Sequence, residues 1–582
     1  MKSKVNTFTW TIGGAAGDGI MVTGAMLAKY CTRAGLWTTD YAEYPSLIRG
    51  GHNVQVVQVD EEQIFEHDQG TEILVAINEE TVRLHAASLS PGGALVYDST
   101  RLTINPAMIG DRTDIVLVPV PLMDLALKNG GKDLMRNTVA LGATLALLQA
   151  PRKLMDDIFQ DTFGAKGQKV VDINVATCRA GYEHVQKLVK DFPWRIVPKE
   201  NDQRMVIGGN DALSLGFIHG GLKFYAAYPM TPASSILISL AELAPTYKHI
   251  TKHAEDEIAA VNLAIGASFA GVRAACGTSG GGFCLMTEGL GMAAITETPL
   301  VIVDAQRPGP ATGLPTWTEQ GDLRFVMHAG QGEFPRVIVA PADPTQAFQE
   351  AARSLHIAEH GQLPVIILTD KYLAESHWST PMFDLTKLRV QRGGFVTAQE
   401  HGGGPWYQRY ADTVTGITPR PIPGQSGGVF IANSDEHDAV GHANEESDNR
   451  VMQYRKRERK LEAVLSFLPP RLVHYGPDDA DVTFVTWGSV TQSCKEAMRK
   501  LATMGIRANV LQVLYLLPFP VAEVQQFFRA AKKTILVENN GTAQLGGVLK
   551  EYADVTCNHQ LLKNDGRPFW AEDIAAFAKG HM

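Results

Sequence analysis

The chain is 582 residues long, enough for three or four domains with several buried cores. Lys and Arg number 53 against 62 Asp and Glu, a formal charge of −9, so no basic surplus draws the protein to nucleic acid or another polyanion, and 45% hydrophobic with 20% charged residues excludes a mostly disordered chain. The opening MKSKVNTFTWTIGG lacks the apolar core of a secretory signal and no window offers about 18 uncharged apolar residues, the nearest being 261–272, so a soluble, cytoplasmic protein without membrane contact is expected.

In chain order, an apolar run at 8–12 enters the glycine loop GGAAGDG (13–19), and 20–34 follow as a helix, a strand, loop and helix unit. Extended runs at 37–41, 54–59, 73–77, 94–97 and 115–120 and an Ala- and Leu-rich helix at 137–148 complete an α/β domain over 1–195. A polar stretch near 200 opens a second domain, 200–385. Its helices at 211–219 and 255–270 alternate with strands at 224–228, 300–303 and 365–368, the order of a parallel sheet. Clustered Gly and Pro between 402 and 428, then the charged tract 445–462 with Arg455-Lys456-Arg457-Glu458-Arg459-Lys460, predict a linker and an exposed, solvated helix over 386–475. Strands at 482–487, 508–513 and 534–538 form a smaller α/β domain over 476–582. The six cysteines, Cys31, Cys178, Cys276, Cys284, Cys494 and Cys557, are scattered without a C-x-x-C pair. Neither zinc nor an iron–sulfur cluster finds its ligand spacing, and buried, reduced thiols are expected.

The first glycine loop half-matches a dinucleotide fingerprint, with Asp40 at the spacing of a ribose-binding acid, so a nicotinamide-dependent dehydrogenase is one reading and plain helix–sheet packing the other. Gly17-Asp18-Gly19 also resembles the start of a thiamine diphosphate and metal motif. The window that should hold an asparagine reads Glu43-Tyr44-Pro45-Ser46-Leu47-Ile48, and Asn53 lies too far along, so no metal site is expected on this chain.

Tyr228-Pro229-Met230-Thr231-Pro232 places Thr231 as a helix cap with Pro232 at the first helical position, suited to a carboxylate or phosphate oxygen or to capping alone. In His253-Ala254-Glu255-Asp256-Glu257 the acids suit a helix start, and Glu255 and Asp256 read as solvated. Glu257 differs: steps of three and four align it with Val261, Ala264, Ile265 and Ser268, so its carboxylate has either a partner or a raised pKa. Arg307 heads the stiff loop RPGPATGLPT and serves either a ligand or an inter-loop salt bridge.

YPMTPAS, HAEDEIAAVNLAIGASFAG, the GTSGGGF run and RPGPATGLPT together resemble, in that order, the α chain of the 2-oxoacid:ferredoxin oxidoreductases. GGAAGDGIMVTG and YAEYPSLIRGGHN resemble that family's γ chain, here fused ahead of α, and the fused form looks closest to the 2-oxoglutarate type with a separate β chain. The resemblance implies a γ-type Rossmann-like domain, a pyrimidine-type thiamine diphosphate domain and a transketolase C-terminal-like domain. It implies oxidative decarboxylation of a 2-oxo acid with coenzyme A and ferredoxin, by a thiamine diphosphate shared with the β chain, which carries Mg2+ and a [4Fe-4S] cluster, in an (αβ)2 assembly. Central carbon metabolism is the setting implied. By the same resemblance Glu257 falls at the cofactor's N1′, Thr231 on the substrate side and Arg307 at the substrate carboxylate or the developing oxyanion. Tyr228 and Pro229 fall beside the cofactor, and Arg49, His52 and Thr312 near substrate or coenzyme A. Pyruvate or a branched or aryl 2-oxo acid as substrate, and a non-catalytic scaffold chain, stand as alternatives.

Overall fold

Apolar runs of five to ten residues become strands here, and the Ala- and Leu-rich stretches between them cover the faces as helices. The computed structural model describes residues 4–47, 50–200, 202–396 and 405–582. The chain is α/β throughout and divides into two compact units, one built mainly from the first 208 residues together with Glu375–Met382 and Trp570–Asp573, the other from the remainder.

In the first unit an eight-stranded sheet runs in the spatial order Val116–Val120, Leu89–Asp98, Thr71–Ala76, Phe8–Ala15, His52–Asp60, Trp37–Glu43, His377–Pro381 and Arg204–Gly208. The first four strands are parallel and the rest alternate in direction. Its last two strands come from beyond residue 195, the end expected for this domain. Helix Arg136–Leu147 is buried along its whole length. It crosses helix Gln168–Leu188 at two glycines: a Cβ on Gly142 would overlap the Cys178 carbonyl, and one on Gly181 the Val139 carbonyl.

The second unit holds two sheets. Seven strands lie in the order Ile250–His253, Phe224–Ala227, Ala274–Thr278, Leu300–Gln306, Pro364–Asp370, Val337–Val339 and Tyr515–Leu517, all parallel except the last. Five more, Leu472–Tyr475, Ala508–Val513, Val482–Thr486, Thr534–Glu538 and His559–Leu562, form the second sheet. One hydrophobic core joins them, with Ile302, Ile338 and Ile366 in the same cluster as Val485, Leu511 and Leu536. No helix among the described residues is long and apolar enough to cross a membrane.

Two expectations are corrected. Cys284, in helix Gly280–Ile295, is exposed, whereas the other five thiols are buried. The charged tract is not a solvated helix: within helix Ser447–Leu465, Gln453, Lys456, Arg457, Lys460 and Val464 are buried. The reason is a set of acids remote in sequence. Lys456 Nζ lies 2.5 Å from Glu297 Oε1, Lys460 pairs with the other oxygen, and Arg409 donates to the Glu297 carbonyl at 2.8 Å. Arg457 and Arg450 grip Glu436 at 2.7 and 2.6 Å. Burial alone would raise the Glu297 carboxyl, but Lys460, Lys456 and Arg409 outweigh it and hold it well below the usual carboxylate range.

Removing one member of such a buried set strands the others, which is worth about 3–5 kcal/mol. Glu297→Ala is therefore expected to lower stability by about that amount, read from the urea midpoint of the chain, and a shift worth under about 1 kcal/mol would place the set among weak surface pairs.

Candidate active site

Loops leaving one edge of a parallel sheet surround a crevice flanked by helix N-termini. Four parallel strands deliver chemistry to that edge here. Phe224–Ala227 leads to Tyr228, Pro229, Met230 and Thr231, and Ile250–His253 leads to helix Glu257–Phe269. Ala274–Thr278 leads to the glycines that open helix Gly280–Ile295, and Leu300–Gln306 leads to Arg307.

Helix Glu257–Phe269 begins where the Asp256 carboxylate accepts the Ala259 N–H at 2.7 Å, so Asp256 is a cap and not a merely solvated acid. Its buried stripe contains Glu257, Val261, Ala264, Ile265 and Ser268. Glu257 is 3% exposed and its Oε1 has no hydrogen-bond partner. A buried carboxylate oxygen without a donor is costly, so the arrangement suits a donor that arrives with a ligand. Gly282 provides the space: a Cβ there would stand 2.5 Å from Glu257 Oε1 and would overlap Thr278 Oγ1. That same Oγ1 lies 3.9 Å from the Met230 sulfur.

Thr231 does not cap a helix. The Ala233 N–H closes a turn onto the Met230 carbonyl at 2.8 Å, and Asn210 Nδ2 holds the Pro232 carbonyl at 2.8 Å, so the helix begins only at Ser234. The Thr231 carbonyl instead accepts Arg307 Nη1 at 2.6 Å. Glu257, Thr231 and Arg307 thus share the edge, with Thr278 meeting Met230 and bordering, together with Glu257, the space over Gly282. Tyr228 and Pro229 are exposed beside them, the Tyr228 ring 6.3 Å from that of His253, and Thr312 is exposed on the loop after Arg307.

Sequence reasoning missed two acids. Asp304, fully buried in strand Leu300–Gln306, has no partner on either oxygen. Burial, reinforced by Asp322, pushes its carboxyl well above the usual range. Asp322 is pushed up to about 6 by burial, against the pull of Arg307. Burial lowers the Arg307 guanidinium while Asp322 sustains it. A lone acid in the apolar run LVIVDAQ was the available signal for Asp304; Asp322 carries none.

In the first unit the glycine loop is filled by its own side chain. Asp18 accepts the Ala15 N–H at 2.9 Å and Arg136 Nη2 at 3.1 Å. Asp40, the acid at ribose spacing, is buried and takes the N–H and Nδ1 of His377 at 2.9 and 3.0 Å. Both arrangements weaken the dinucleotide reading. His52 Nε2 meets His85 Nε2 at 2.8 Å while its Nδ1 is buried and unbonded. Burial, aided by His52, holds His85 down near 4, so it is neutral at physiological pH. Arg49 lies outside the described residues. Among the described residues no group of three or more His, Cys, Asp or Glu is arranged to hold a metal ion.

Three family descriptions match along the chain: pyruvate ferredoxin/flavodoxin oxidoreductase over 9–184, pyruvate flavodoxin/ferredoxin oxidoreductase, thiamine diphosphate-binding, over 215–456, and pyruvate:ferredoxin oxidoreductase core domain II over 480–573. A 2-oxoacid:ferredoxin oxidoreductase subunit alpha from Sulfolobus sp is 32% identical over 97% of this chain and 95% of its own. The chain belongs to this family of α subunits. The 2-oxoglutarate oxidoreductase subunit KorA of Mycobacterium tuberculosis is 28% identical over 98% of this chain and 90% of its own. A solved 2-oxoglutarate:ferredoxin oxidoreductase from Magnetococcus marinus superposes with a TM-score of 0.91 at 32% identity, covering 99% of both chains. The α chain's second unit carries the thiamine diphosphate-binding segment, and the orphaned Glu257 oxygen over Gly282 is the kind of site that the cofactor's aminopyrimidine fits.

Gly282 is helical, and Ala is the better helix former there by about 1 kcal/mol. A loss in Gly282→Ala would therefore report the contacts with Thr278 and Glu257 rather than helix propensity. Oxidation of a 2-oxo acid by the α chain assembled with its catalytic partner is expected to fall on the order of a hundredfold, with some loss of melting temperature because buried Thr278 must also give way; near-normal rates would show that Glu257 and Thr278 can move aside freely.

Proposed function

We propose that this chain is the α subunit of a 2-oxoglutarate:ferredoxin oxidoreductase. 2-Oxoglutarate, coenzyme A and two oxidised ferredoxins become succinyl-CoA, carbon dioxide, two reduced ferredoxins and a proton. The observation that carries the reading is the buried, unbonded Oε1 of Glu257 inside the segment matched to a thiamine diphosphate-binding family. Similarity over nearly the whole chain to an enzyme described with 2-oxoglutarate, coenzyme A and succinyl-CoA bound favours that substrate. Several relatives are named only as acting on 2-oxo acids, so rates across pyruvate, 2-oxoglutarate and branched and aryl 2-oxo acids, measured with the co-purified partner, test the choice.

When bound, thiamine diphosphate supplies the carbon centre at which a 2-oxo acid can lose carbon dioxide. Glu257 would hold the cofactor's N1′ in its protonated form, with Tyr228 and Pro229 beside it. Arg307 would bind the substrate carboxylate through two parallel hydrogen bonds, and the hydroxyl of Thr231 would face the keto group. Thr312 would serve substrate or coenzyme A, and the family resemblance gives His52 and Arg49 the same role. A β chain would grip the diphosphate with Mg2+ and carry a [4Fe-4S] cluster, in an (αβ)2 complex acting in central carbon metabolism in the cytoplasm. Exposed apolar side chains on two of the site's helices, Ile258 and Leu263 on one and Leu285 and Met292 on the other, suit such a partner.

Glu257→Gln keeps the shape but loses the charge, so turnover should collapse while the fold survives; unchanged turnover would remove Glu257 from the mechanism. Lysine offers a point charge with looser geometry than a guanidinium, so Arg307→Lys should raise KM and lower kcat, on the order of a hundredfold for about 1 Å of misplacement, with Arg307→Ala worse. Were Arg307 only a brace on the Thr231 carbonyl, both variants would lose melting temperature and keep near-normal kinetics.

A further inference from the structure

Behind Arg307 lies a set of acids that the proposed reaction does not use. Asp304 sits on strand Leu300–Gln306, on the same side as Ile302 and Gln306, with no exposure and no partner on either oxygen. Asp322 stands just before helix Leu323–His328, and its N–H donates to Gln306 Oε1 at 2.9 Å, which ties it to the strand that ends in Arg307. Its Oδ2 is buried and unbonded, and the missing side chain of Gly280 leaves it room, since a Cβ there would overlap that oxygen. Asp322 therefore rests on the first residue of the 16-residue helix Gly280–Ile295, whose end favours negative charge.

The groups facing Asp322 are Asp304 from the strand, Arg307 at its end, Glu319 from the preceding loop and Cys284 from the helix. Arg307 is the one cation in that set, and no carboxylate in it bonds the guanidinium directly. Burial, with repulsion from Asp322, works against ionising Asp304 alongside Asp322, and Asp304 is the one held more strongly neutral.

We propose that Asp322 is a positioning residue for Arg307, and that the Asp304–Asp322 pair takes up a proton when the 2-oxo acid binds. The inference rests on the substrate role of Arg307 proposed above. Before substrate arrives, ionised Asp322 keeps the half-buried guanidinium charged and oriented. The incoming carboxylate then competes for the same cation, which raises the proton affinity of the pair. Protonating Asp322 releases Arg307 to the substrate without leaving two anions on one cation. The sign follows: a pair with raised proton affinity in the complex favours binding at low pH, and the advantage fades as pH rises.

The test is calorimetric binding of N-oxalylglycine, an unreactive isostere of 2-oxoglutarate, to the complex with its β partner. Titrations in phosphate and in Tris at pH 7 give the proton uptake from the difference in heats. A tenfold gain in proton affinity, starting from about 6, predicts uptake of about 0.4 proton at pH 7 and binding about fivefold weaker at pH 8 than at pH 6. Asp322→Asn should abolish the uptake, flatten the pH dependence and raise KM more than it lowers kcat. Asp304→Asn, which keeps a neutral group beside Asp322, should leave the uptake in place. Wild-type binding without proton uptake, or uptake that survives in Asp322→Asn, overturns the proposal, and the wild-type titration gives that answer even if a variant fails to fold. Failure of the wild-type complex to bind the isostere at any pH from 6 to 8 strikes the substrate reading itself and takes the inference with it.

Discussion

A single buried carboxylate without a donor sets the terms for the rest of the catalytic edge. Glu257 can lie inside the protein only because the helix carrying it starts at a sheet edge, where Asp256 satisfies the helix end and leaves the next side chain free to turn inward. It can stay there only because residue 282 has no side chain. The Ala- and Gly-rich character of this region follows, since each small residue either lets helices Glu257–Phe269 and Gly280–Ile295 approach the sheet or leaves volume for a polar group. Gly277 clears the Tyr225 hydroxyl, Gly280 clears Asp322 and Gly282 clears Glu257. The glycine run 277–282 thus seats buried polar side chains, two of them acids.

The first glycine loop obeys the same logic by another route. Strand Phe8–Ala15 and helix Ile20–Arg33 meet at a turn of the kind that binds phosphate, yet Asp18 occupies its amide and Arg136 neutralises that carboxylate. Local backbone geometry is common to both uses, and the side chain inside the loop decides between them.

What the sequence made legible was whatever depends on near neighbours. Strands such as 508–513 and 534–538 stand where apolar runs predicted them, and the inward aim of Glu257 follows from spacing of three and four along one helix. Thr231 was misjudged because a Thr-Pro pair is a good local signal for a cap, whereas the Asn210 amide that holds Pro232 comes from another helix. The tract around Lys456 and Lys460 was misjudged for the same reason at larger scale. Its charges match Glu297 and Glu436, and no pattern within the tract records acids that far away. Sequence signs tell which charges exist; burial depends on where the opposite charge waits.

That distinction separates two of the buried charge systems of the second unit. Around Glu297 two ammoniums and a guanidinium meet one carboxylate: Lys456 and Lys460 each pair with a different oxygen, and the excess positive charge is shared with backbone carbonyls such as those of Glu297 and Gln362. Such a set has little to gain from a ligand and serves to fasten the segment after 405 onto the helical layer. Around Arg307 the balance is reversed: Asp304, Asp322 and Glu319 outnumber one guanidinium, and three carboxylate oxygens of the two aspartates have no donor. A fold selected for stability alone would have removed such acids or paired them, as it did at Glu297. Burial without donors draws such acids toward their protonated forms while the arginine beside them, at the carboxyl edge of a parallel sheet, draws Asp322 the other way, so the balance shifts with any new anion the arginine accepts.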